Sequence, residues 1–267
     1  MTFSIIVVCR NAGEKLHRTI ESIRRQTEDD YEIIVQDGFS TDGSVEWLAV
    51  REACESLKIF REKDEGIYDA MNRAVAHASG RYLFFLNCGD YFADETVLAQ
   101  VKEEIARIND GKRLRIFYGN IRERATGALV MSNPKIDDFA CYRNVPCHQA
   151  CFYDRRLLEK RGFRLCYKVR ADYEHFLWCY YRVRASMHYM PVTVASYEGD
   201  GFSETGENKR RSTVEHMHIV KKYMRRGQVF KYQLIMLVTL APLRTYLAGN
   251  EATAGAYQKI KRKIYGG

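Results

Sequence analysis

The chain has 267 residues, of which 46% are hydrophobic and 28% charged, and its formal net charge is +8. This composition provides for a sizeable core in one large domain, or in one domain with an appendage, and excludes a disordered polar chain. Met1 leads directly into the strand-like run SIIVV, so we expect no export signal. The eight cysteines have no regular spacing, which indicates reduced thiols and a cytoplasmic location.

The positive charge is concentrated near the C-terminus. Residues 208–267 contain thirteen Lys and Arg against two Glu, a net charge of +11 that leaves −3 for the rest of the chain. A basic tail on a mildly acidic body is suited to nucleic acid, to anionic lipid or to water alone.

Short apolar runs alternate with helical patterns along most of the chain. β-Branched and aromatic runs predict buried strands, and apolar residues at helical spacing predict the helices between them. The predicted strands are residues 3–9, 31–36, 57–60, 82–86, 115–119 and 189–197. The predicted helices include residues 14–26, 95–108, 155–160 and 170–182, and one that ends near residue 77. A further helix is predicted through residues 45–49, and Ser40 or Thr41 can cap it. This alternation favours a mostly parallel sheet with helices on both faces.

Polar residues follow the strands at the ends where open α/β sheets bind ligands. Arg10 and Asn11, then Asp37, then Asp64 follow the first three strands, and Asn87-Cys88-Gly89-Asp90 follows the fourth. A turn that uses Asn, Gly and Asp for their backbone freedom is one interpretation of the last motif. Recurrence at four strand ends favours a ligand site for a cation or a phosphate.

Several binding motifs are absent from the sequence. There is no G-x-G-x-x-G after the first strand and no P-loop, which argues against the usual dinucleotide dehydrogenases and P-loop kinases. A bound nucleotide would therefore need another counter-charge, for example a metal ion. Cys147, His148 and Cys151 lack a second pair at zinc-finger spacing, so we do not expect zinc.

The region from about residue 207 is predicted to be helical. Its most apolar segment, residues 229–241, is interrupted by Lys231 and falls short of the roughly 20 apolar residues of a spanning helix. Basic clusters at residues 221–226 and 259–263 flank it. Two interpretations stay open: an interfacial anchor on an anionic leaflet, or a core helix packed on the body.

Taken together, seven motifs resemble the family 2 glycosyltransferases of bacterial polysaccharide assembly. In order, they are SIIVVCRN, VQDGFSTDGS, EKDEGIYDAMNRAVAHASGRYLFFLNCGDYF, YGNI, HQACFY, RADYE and YEGDGFS, from residue 3 to about residue 203. GIYDAMN combined with LNCGD is the most specific part. The chain looks closest to the branch that builds colanic-acid-like exopolysaccharides, capsules or O-antigens.

The resemblance implies a GT-A fold, an α/β, Rossmann-like, mostly parallel sheet flanked by helices, over residues 1–205. We expect a basic helical extension, residues 206–267, to follow this domain, and membrane association of the extension is one of the two interpretations given above. The donor-binding residues that the resemblance implies are Cys9, Arg10, Asn11, Asp37, Asp64, Asn72 and Asn87.

Members of this family hold Mg²⁺ or Mn²⁺ on the donor diphosphate with acidic residues after the fourth strand. The usual Asp-x-Asp is replaced here, and Gly89 stands at the position of the most frequent metal ligand. The resemblance therefore assigns the metal to Asp90, with Asn87 assisting.

Asp172, in RADYE, matches the catalytic aspartate of the family. A carboxylate there can take the proton of an acceptor hydroxyl as it attacks the sugar, which implies an inverting single displacement. The acceptor site or closing loop would include His148, Gln149, Tyr197, Gly201 and Ser203. The implied donor is a nucleotide sugar, with UDP favoured, and the implied acceptor is a saccharide on a lipid diphosphate. The enzyme would then be cytoplasmic, peripheral on the inner face of the cytoplasmic membrane, without nucleic acid.

Three other functions stay open. A nucleic-acid-binding protein could use the basic tail, with steeply salt-dependent binding, although the loops of the body are acidic. A sugar nucleotidyltransferase needs a glycine-rich basic loop, and Arg10-Asn11-Ala12-Gly13 is slight for that role. An inactive scaffold is compatible with Gly89 in the metal motif.

Overall fold

A computed structural model of the protein describes residues 1–51, 56–108, 111–197 and 206–239. The chain forms two compact units, residues 1–219 and residues 220–267. The first unit is an α/β domain built on one nine-stranded sheet.

The first half of the sheet is parallel. β1 (Phe3–Cys9) lies between β2 (Tyr31–Asp37) and β4 (Tyr82–Phe85), and β3 (Leu57–Arg61) extends the sheet beyond β2. Every residue of β1 and β4 is buried, as expected for strands that are covered on both faces. Cys9 is in register with Asp37, so the carboxyl ends of β1 and β2 are adjacent.

Three helices follow the first three strands: α1 (Glu14–Arg24), α2 (Ser44–Arg51) and α3 (Ile67–His77). The prediction that Ser40 caps α2 is wrong. Asp42 Oδ1 accepts the Ser44 N–H at 3.1 Å, whereas the Ser40 hydroxyl donates to Asp37 Oδ1 at 2.6 Å. The Ser40 hydroxyl is used elsewhere because the buried Asp37 carboxylate requires donors.

The second half of the sheet is mixed. β8 (Cys151–Asp154) pairs antiparallel with both β4 and β6 (Arg115–Glu123). β6 runs parallel to β9 (Ser186–Tyr197), which pairs antiparallel with β5 (Tyr91–Phe92). β7 (Leu129–Val130) pairs with the end of β6. The parallel arrangement predicted from the sequence thus applies to β1–β4 and to β6 with β9.

The remaining helices are α4 (Val97–Ile108), α5 (Asp138–Arg143), α6 (Arg155–Lys160), α7 (Ala171–Trp178), α8 (Gly206–Tyr223) and α9 (Arg226–Val238). A 3₁₀ turn, His148–Ala150, precedes β8. α7 continues into a π-helical turn at Cys179–Val183, so the helix predicted over residues 170–182 combines two helical geometries.

A buried carboxylate joins the amino ends of the parallel strands. Glu32 Oε1 accepts from the Ser4 hydroxyl at 2.6 Å and from the backbone N–H groups of Ser79 and Gly80 at 2.6 and 3.2 Å. Lys58 Nζ lies 2.7 Å from Oε2. Burial works to raise the pKa of Glu32, but Lys58 and these hydrogen bonds lower it to about 2.

No helix in the described ranges has the length and apolar character that crossing a bilayer requires. The predicted apolar segment 229–241 corresponds in part to α9, and its last two residues lie outside the described chain. α9 exposes four apolar side chains at helical spacing, Phe230, Leu234, Leu237 and Val238.

Candidate active site

One side of the candidate site is formed where β1 and β2 end. Cys9 Sγ lies 3.8 Å from Asp37 Oδ1. The Asp64 side chain lies against Gly38, where a Cβ would stand 2.4 Å from Asp64 Oδ2. A glycine is therefore needed beside Asp37 for Asp64 to approach. The structure brings these predicted donor-binding residues, Cys9, Asp37 and Asp64, together.

Asn11 fastens the loop after β1 to the loop after β2. Its backbone N–H donates to Ser40 Oγ at 2.8 Å, and its Oδ1 accepts the Thr41 N–H at 2.8 Å. Its φ is +51°, a left-handed conformation that asparagine tolerates better than most residues. Arg10, immediately before it, is exposed. The two loops thus form one continuous polar surface.

The Asp37 side chain is fully buried behind Arg61. Asp37 Oδ1 accepts the Ser40 N–H at 2.9 Å, and Arg61 Nε lies 3.1 Å from Oδ2. That contact lacks hydrogen-bond geometry, and Oδ2 has no hydrogen-bond partner among the described residues. The Asp37 carboxylate therefore lies below the surface, with the half-exposed Arg61 side chain as its charged neighbour.

The turn after β4 is held by a residue of α1. Thr19 Oγ1 accepts the Gly89 N–H at 3.0 Å and donates to the Asp90 carbonyl at 3.0 Å. Gly89 has a φ of +97°, which an aspartate at this position would adopt only with strain. Glycine at the usual metal-ligand position therefore suits the backbone of this turn. Sequence reasoning missed Thr19, because nothing distinguishes it within an amphipathic helix.

The 3₁₀ turn at His148–Ala150 joins the turn after β4 to Asp172. Gln149 Nε2 donates to Asp90 Oδ2 at 3.0 Å. His148 Nε2 lies 3.1 Å from Asn87 Nδ2, and His148 Nδ1 lies 3.1 Å from Asp172 Oδ2. The two ring nitrogens of His148 thus face Asn87 on one side and Asp172 on the other. Motifs that are distant in the sequence thus form one hydrogen-bonded chain.

Asp172 lies in the first turn of α7 with 24% of its side-chain surface exposed. Its Oδ1 accepts from the Tyr68 hydroxyl at 2.9 Å and from the Tyr173 N–H at 2.8 Å. Burial works to raise the pKa of Asp172, but His148 and these two donors hold it below its usual value. The carboxylate is therefore ionised at neutral pH and can accept a proton.

Tyr68 was missed by sequence reasoning, although it lies within GIYDAMN. Burial, together with the Asp172 charge, raises the pKa of Tyr68 well above its usual value, so the hydroxyl stays protonated as a donor. Asn72, one helical turn later, was predicted to bind the donor. Its Nδ2 instead donates to the Phe163 carbonyl at 2.8 Å, and its Oδ1 accepts the Phe163 N–H at 2.7 Å. The structure does not bring Asn72 into the cluster.

The predicted closing loop is described only at its start. Tyr197 ends β9, and its carbonyl accepts the Arg124 N–H at 2.9 Å. Gly201 and Ser203 lie outside the described residues, so their role stays a prediction.

The turn after β4 offers two oxygen donors for a divalent cation. Asp90 is 7% exposed, and Asn87 Oδ1 is buried without a hydrogen-bond partner in the part of the chain described. The described ranges contain no group of three or more His, Cys, Asp or Glu able to hold a metal. This donor set fits Mg²⁺ or Mn²⁺ that takes its other ligands from phosphate and water.

The architecture is that of the GT-A glycosyltransferases. TarS 1–349 of S. aureus, which has also been solved with UDP and with UDP-GlcNAc, matches with a TM-score of 0.64 at 17% identity, over 82% of this chain and 64% of its own. The mannosyltransferase PcManGT from Pyrobaculum calidifontis, solved with GDP-Man and Mn²⁺, matches with a TM-score of 0.62 at 14% identity, over 98% and 87%. These likenesses confirm the predicted fold class.

The chain belongs to glycosyl transferase family 2, whose model matches residues 4–162. A PGL/p-HBAD biosynthesis glycosyltransferase of Mycobacterium bovis is 36% identical over 207 residues, 76% of this chain and 79% of the relative. The family predicted from the seven motifs is confirmed, and the protein is a glycosyltransferase. The nucleotidyltransferase and nucleic-acid-binding alternatives are not favoured.

Proposed function

We propose that this enzyme transfers a sugar, with inversion, from a UDP-sugar to a hydroxyl of a lipid-linked saccharide during exopolysaccharide assembly. One observation carries the proposal: the hydrogen-bonded chain from Asn87 through His148 to Asp172. This chain links Asn87, in the turn that would face the donor diphosphate, to Asp172, the carboxylate that we assign as the base.

Asp172 would act as general base. As the acceptor oxygen bonds to C1 of the sugar, its proton passes to Asp172, and the bond from C1 to the diphosphate breaks with its electrons on the leaving group. Tyr68 and the Tyr173 N–H would fix the orientation of the carboxylate, to which they donate at 2.9 and 2.8 Å. Because attack and departure occur on opposite faces of C1, one displacement inverts the anomeric configuration.

Asp90 and Asn87 would hold Mg²⁺ or Mn²⁺ on the donor diphosphate. A bound cation supplies neutralisation of the charge that develops on the leaving diphosphate. Cys9, Arg10, Asn11, Asp37 and Asp64 would contact the nucleoside. The complexes of TarS with UDP and UDP-GlcNAc, and of PcManGT with GDP-Man and Mn²⁺, support a nucleotide-sugar donor with a divalent ion. These proteins share only the fold with this chain, and the donor panel described next tests the choice of UDP.

To test the identity of the donor and the need for a metal ion, turnover is measured with UDP-glucose, UDP-galactose, UDP-GlcNAc and GDP-mannose, each with and without Mn²⁺. We expect one UDP-sugar to be preferred, and Asp90→Asn to weaken the response to Mn²⁺. Asp137→Asn, at the exposed cap of α5, is the matched control, since it removes a helix-start carboxylate outside the cluster. The anomeric configuration of the transferred sugar, read by NMR, tests inversion, and retention would contradict the mechanism.

A membrane-associated acceptor is supported by α9. Its apolar stripe, Phe230, Leu234, Leu237 and Val238, is 50–72% exposed, and Arg225, Arg226 and Lys231 lie on or beside the same helix. Exposed apolar side chains that lie beside Lys and Arg residues can enter the surface of an anionic leaflet. The name of the M. bovis relative concerns PGL/p-HBAD, so the exopolysaccharide acceptor is our proposal for this chain alone.

Membrane association is tested by co-sedimentation with vesicles of anionic or zwitterionic lipid. We expect binding to anionic vesicles and its loss when Phe230, Leu234 and Leu237 are replaced by serine. Val214→Ser removes a similarly exposed apolar side chain from α8 and should leave binding unchanged. Equal sedimentation of the triple variant and the parent would exclude α9 as the anchor.

A further inference from the structure

A carboxylate from α8 holds the residues that lead to Asp172. Glu215 Oε1 accepts the Lys168 N–H at 2.8 Å, and Oε2 accepts the Val169 and Arg170 N–H groups at 3.0 and 2.9 Å. Glu215 is only 9% exposed. Burying a carboxylate is costly unless donors surround it, and charge-assisted hydrogen bonds are roughly twice as strong as neutral ones. The contact is therefore a strong, specific restraint on three consecutive residues.

The start of α7 requires a partner of this kind. Arg170 is the cap residue, and its side chain makes no capping hydrogen bond within the described residues. Arg170 Nε instead donates to Ser212 Oγ on α8, at 2.7 Å. Negative charge near a helix N-terminus is favourable because the first N–H groups have no partner within the helix. Ser212 and Glu215 lie three residues apart, so one face of α8 supplies both contacts.

Tyr68 holds the same segment through different groups. Its hydroxyl lies 2.8 Å from the Val169 carbonyl and 2.9 Å from Asp172 Oδ1. Val169 is thus held at its N–H by Glu215, and its carbonyl lies beside the same Tyr68 hydroxyl that donates to Asp172, three residues further along the chain. If the Glu215 contact is lost, the segment and the orientation of Asp172 are free to shift together.

We propose that Glu215 is a positioning residue for sugar transfer, which fixes Asp172 in the orientation that accepts the acceptor proton. The inference rests on the proposed function, in which Asp172 is the base. It also gives the first part of the basic C-terminal region a role in the reaction. Residues of α8 up to Ile219 belong to the compact unit that carries the site.

The test compares Glu215→Gln with Glu32→Gln. Both changes keep the side-chain volume and place an amide NH₂ against backbone donors, but Glu32 lies at the amino ends of the strands, away from the cluster. Turnover is measured as nucleotide released from the preferred donor, below the melting temperature of both variants. For Glu215→Gln we expect kcat to fall on the order of 10- to 100-fold, with the donor KM unchanged. For Glu32→Gln we expect lower stability and unchanged kcat.

A second comparison separates positioning from general stabilisation. In the Asp172→Asn background, Glu215→Gln should cause no further loss of the residual turnover, because the group that it orients is already disabled. A further loss of the same size as in the parent would overturn the inference. If Glu215→Gln does not fold, Ser212→Ala is tested in its place. We then expect a smaller drop in kcat in the parent, and no further loss of turnover when Ser212→Ala is added to Asp172→Asn.

The two proposals fail differently. If Asp172→Asn keeps full turnover, the assignment of the base is wrong and the role of Glu215 falls with it. If Asp172→Asn loses turnover while Glu215→Gln and Glu32→Gln have equal kcat, only the positioning role is overturned.

Discussion

Replacing His175 by glutamine is expected to flatten the pH dependence of the unfolding free energy between pH 6.5 and 5. His175 is fully buried in α7, with the rings of Tyr153, Phe163 and Trp178 5.3–5.9 Å away. Its Nδ1 has no hydrogen-bond partner among the residues described. Burial, and to a smaller extent the Arg161 charge, lower the pKa of His175 to about 3. In an unfolded chain histidine titrates near a pKa of about 6.5.

The magnitude follows from these two pKa values. Between them the unfolded chain binds one more proton than the folded chain, so the unfolding free energy falls as the pH falls. Above about pH 6.5 the stabilisation is fully present, and below it the loss is about 1.4 kcal/mol per pH unit. Between neutral pH and pH 5, His175 alone should therefore lower the unfolding free energy of the parent protein by about 2 kcal/mol.

The assay is urea unfolding followed by circular dichroism between pH 7.5 and 5, for the parent and His175→Gln. The absolute stability of the variant is not used, because the prediction concerns only the slope with pH. His188 and His216, whose pKa values burial also lowers, are present in both proteins and cancel in the difference. Glu32 titrates below this window because its pKa is about 2. Equal slopes in the two proteins would refute the reasoning.

Three further predictions concern one glycine beside the site, one glycine away from it, and Gln149. Gly38→Ala should raise the donor KM about tenfold with little change in melting temperature, because the one close contact of the new Cβ, at 2.4 Å, would be with the flexible Asp64 carboxylate. Gly80→Ala should lower the unfolding free energy by about 1–3 kcal/mol in urea titrations, because its Cβ would lie 2.5 Å from backbone atoms. Gln149→Leu should cost about 1–3 kcal/mol of stability and raise the Mn²⁺ concentration for half-maximal turnover, because the buried Asp90 loses a donor at 3.0 Å. An unchanged Mn²⁺ titration would contradict a metal role for Asp90.

The parallel half of the fold could be predicted from the sequence because its signals are local. The run Phe3–Cys9 is apolar except for Ser4, and it is followed by polar residues and an amphipathic helix. β5 and β7 could not be predicted, because two-residue strands have no periodicity. The antiparallel position of β8 between β4 and β6 depends on pairing between distant segments, which no local pattern records.

The site divides in the same way. Asp90, His148 and Asp172 were found because each lies in a motif whose order along the chain is specific. Tyr68 and Glu215 were not, because their importance depends on what their side chains meet in the fold. Asn72 is the reverse case. Its motif predicted contact with the donor, but its side-chain amide is hydrogen-bonded to the backbone of Phe163.

The assignment of Asp172 as base is tested most directly by its replacement with asparagine. Turnover of the preferred donor and affinity for UDP are measured in the same samples, with Asp137→Asn as control. The proposed mechanism predicts that Asp172→Asn lowers turnover by at least roughly 100-fold while UDP affinity stays unchanged. Full turnover by Asp172→Asn would contradict it.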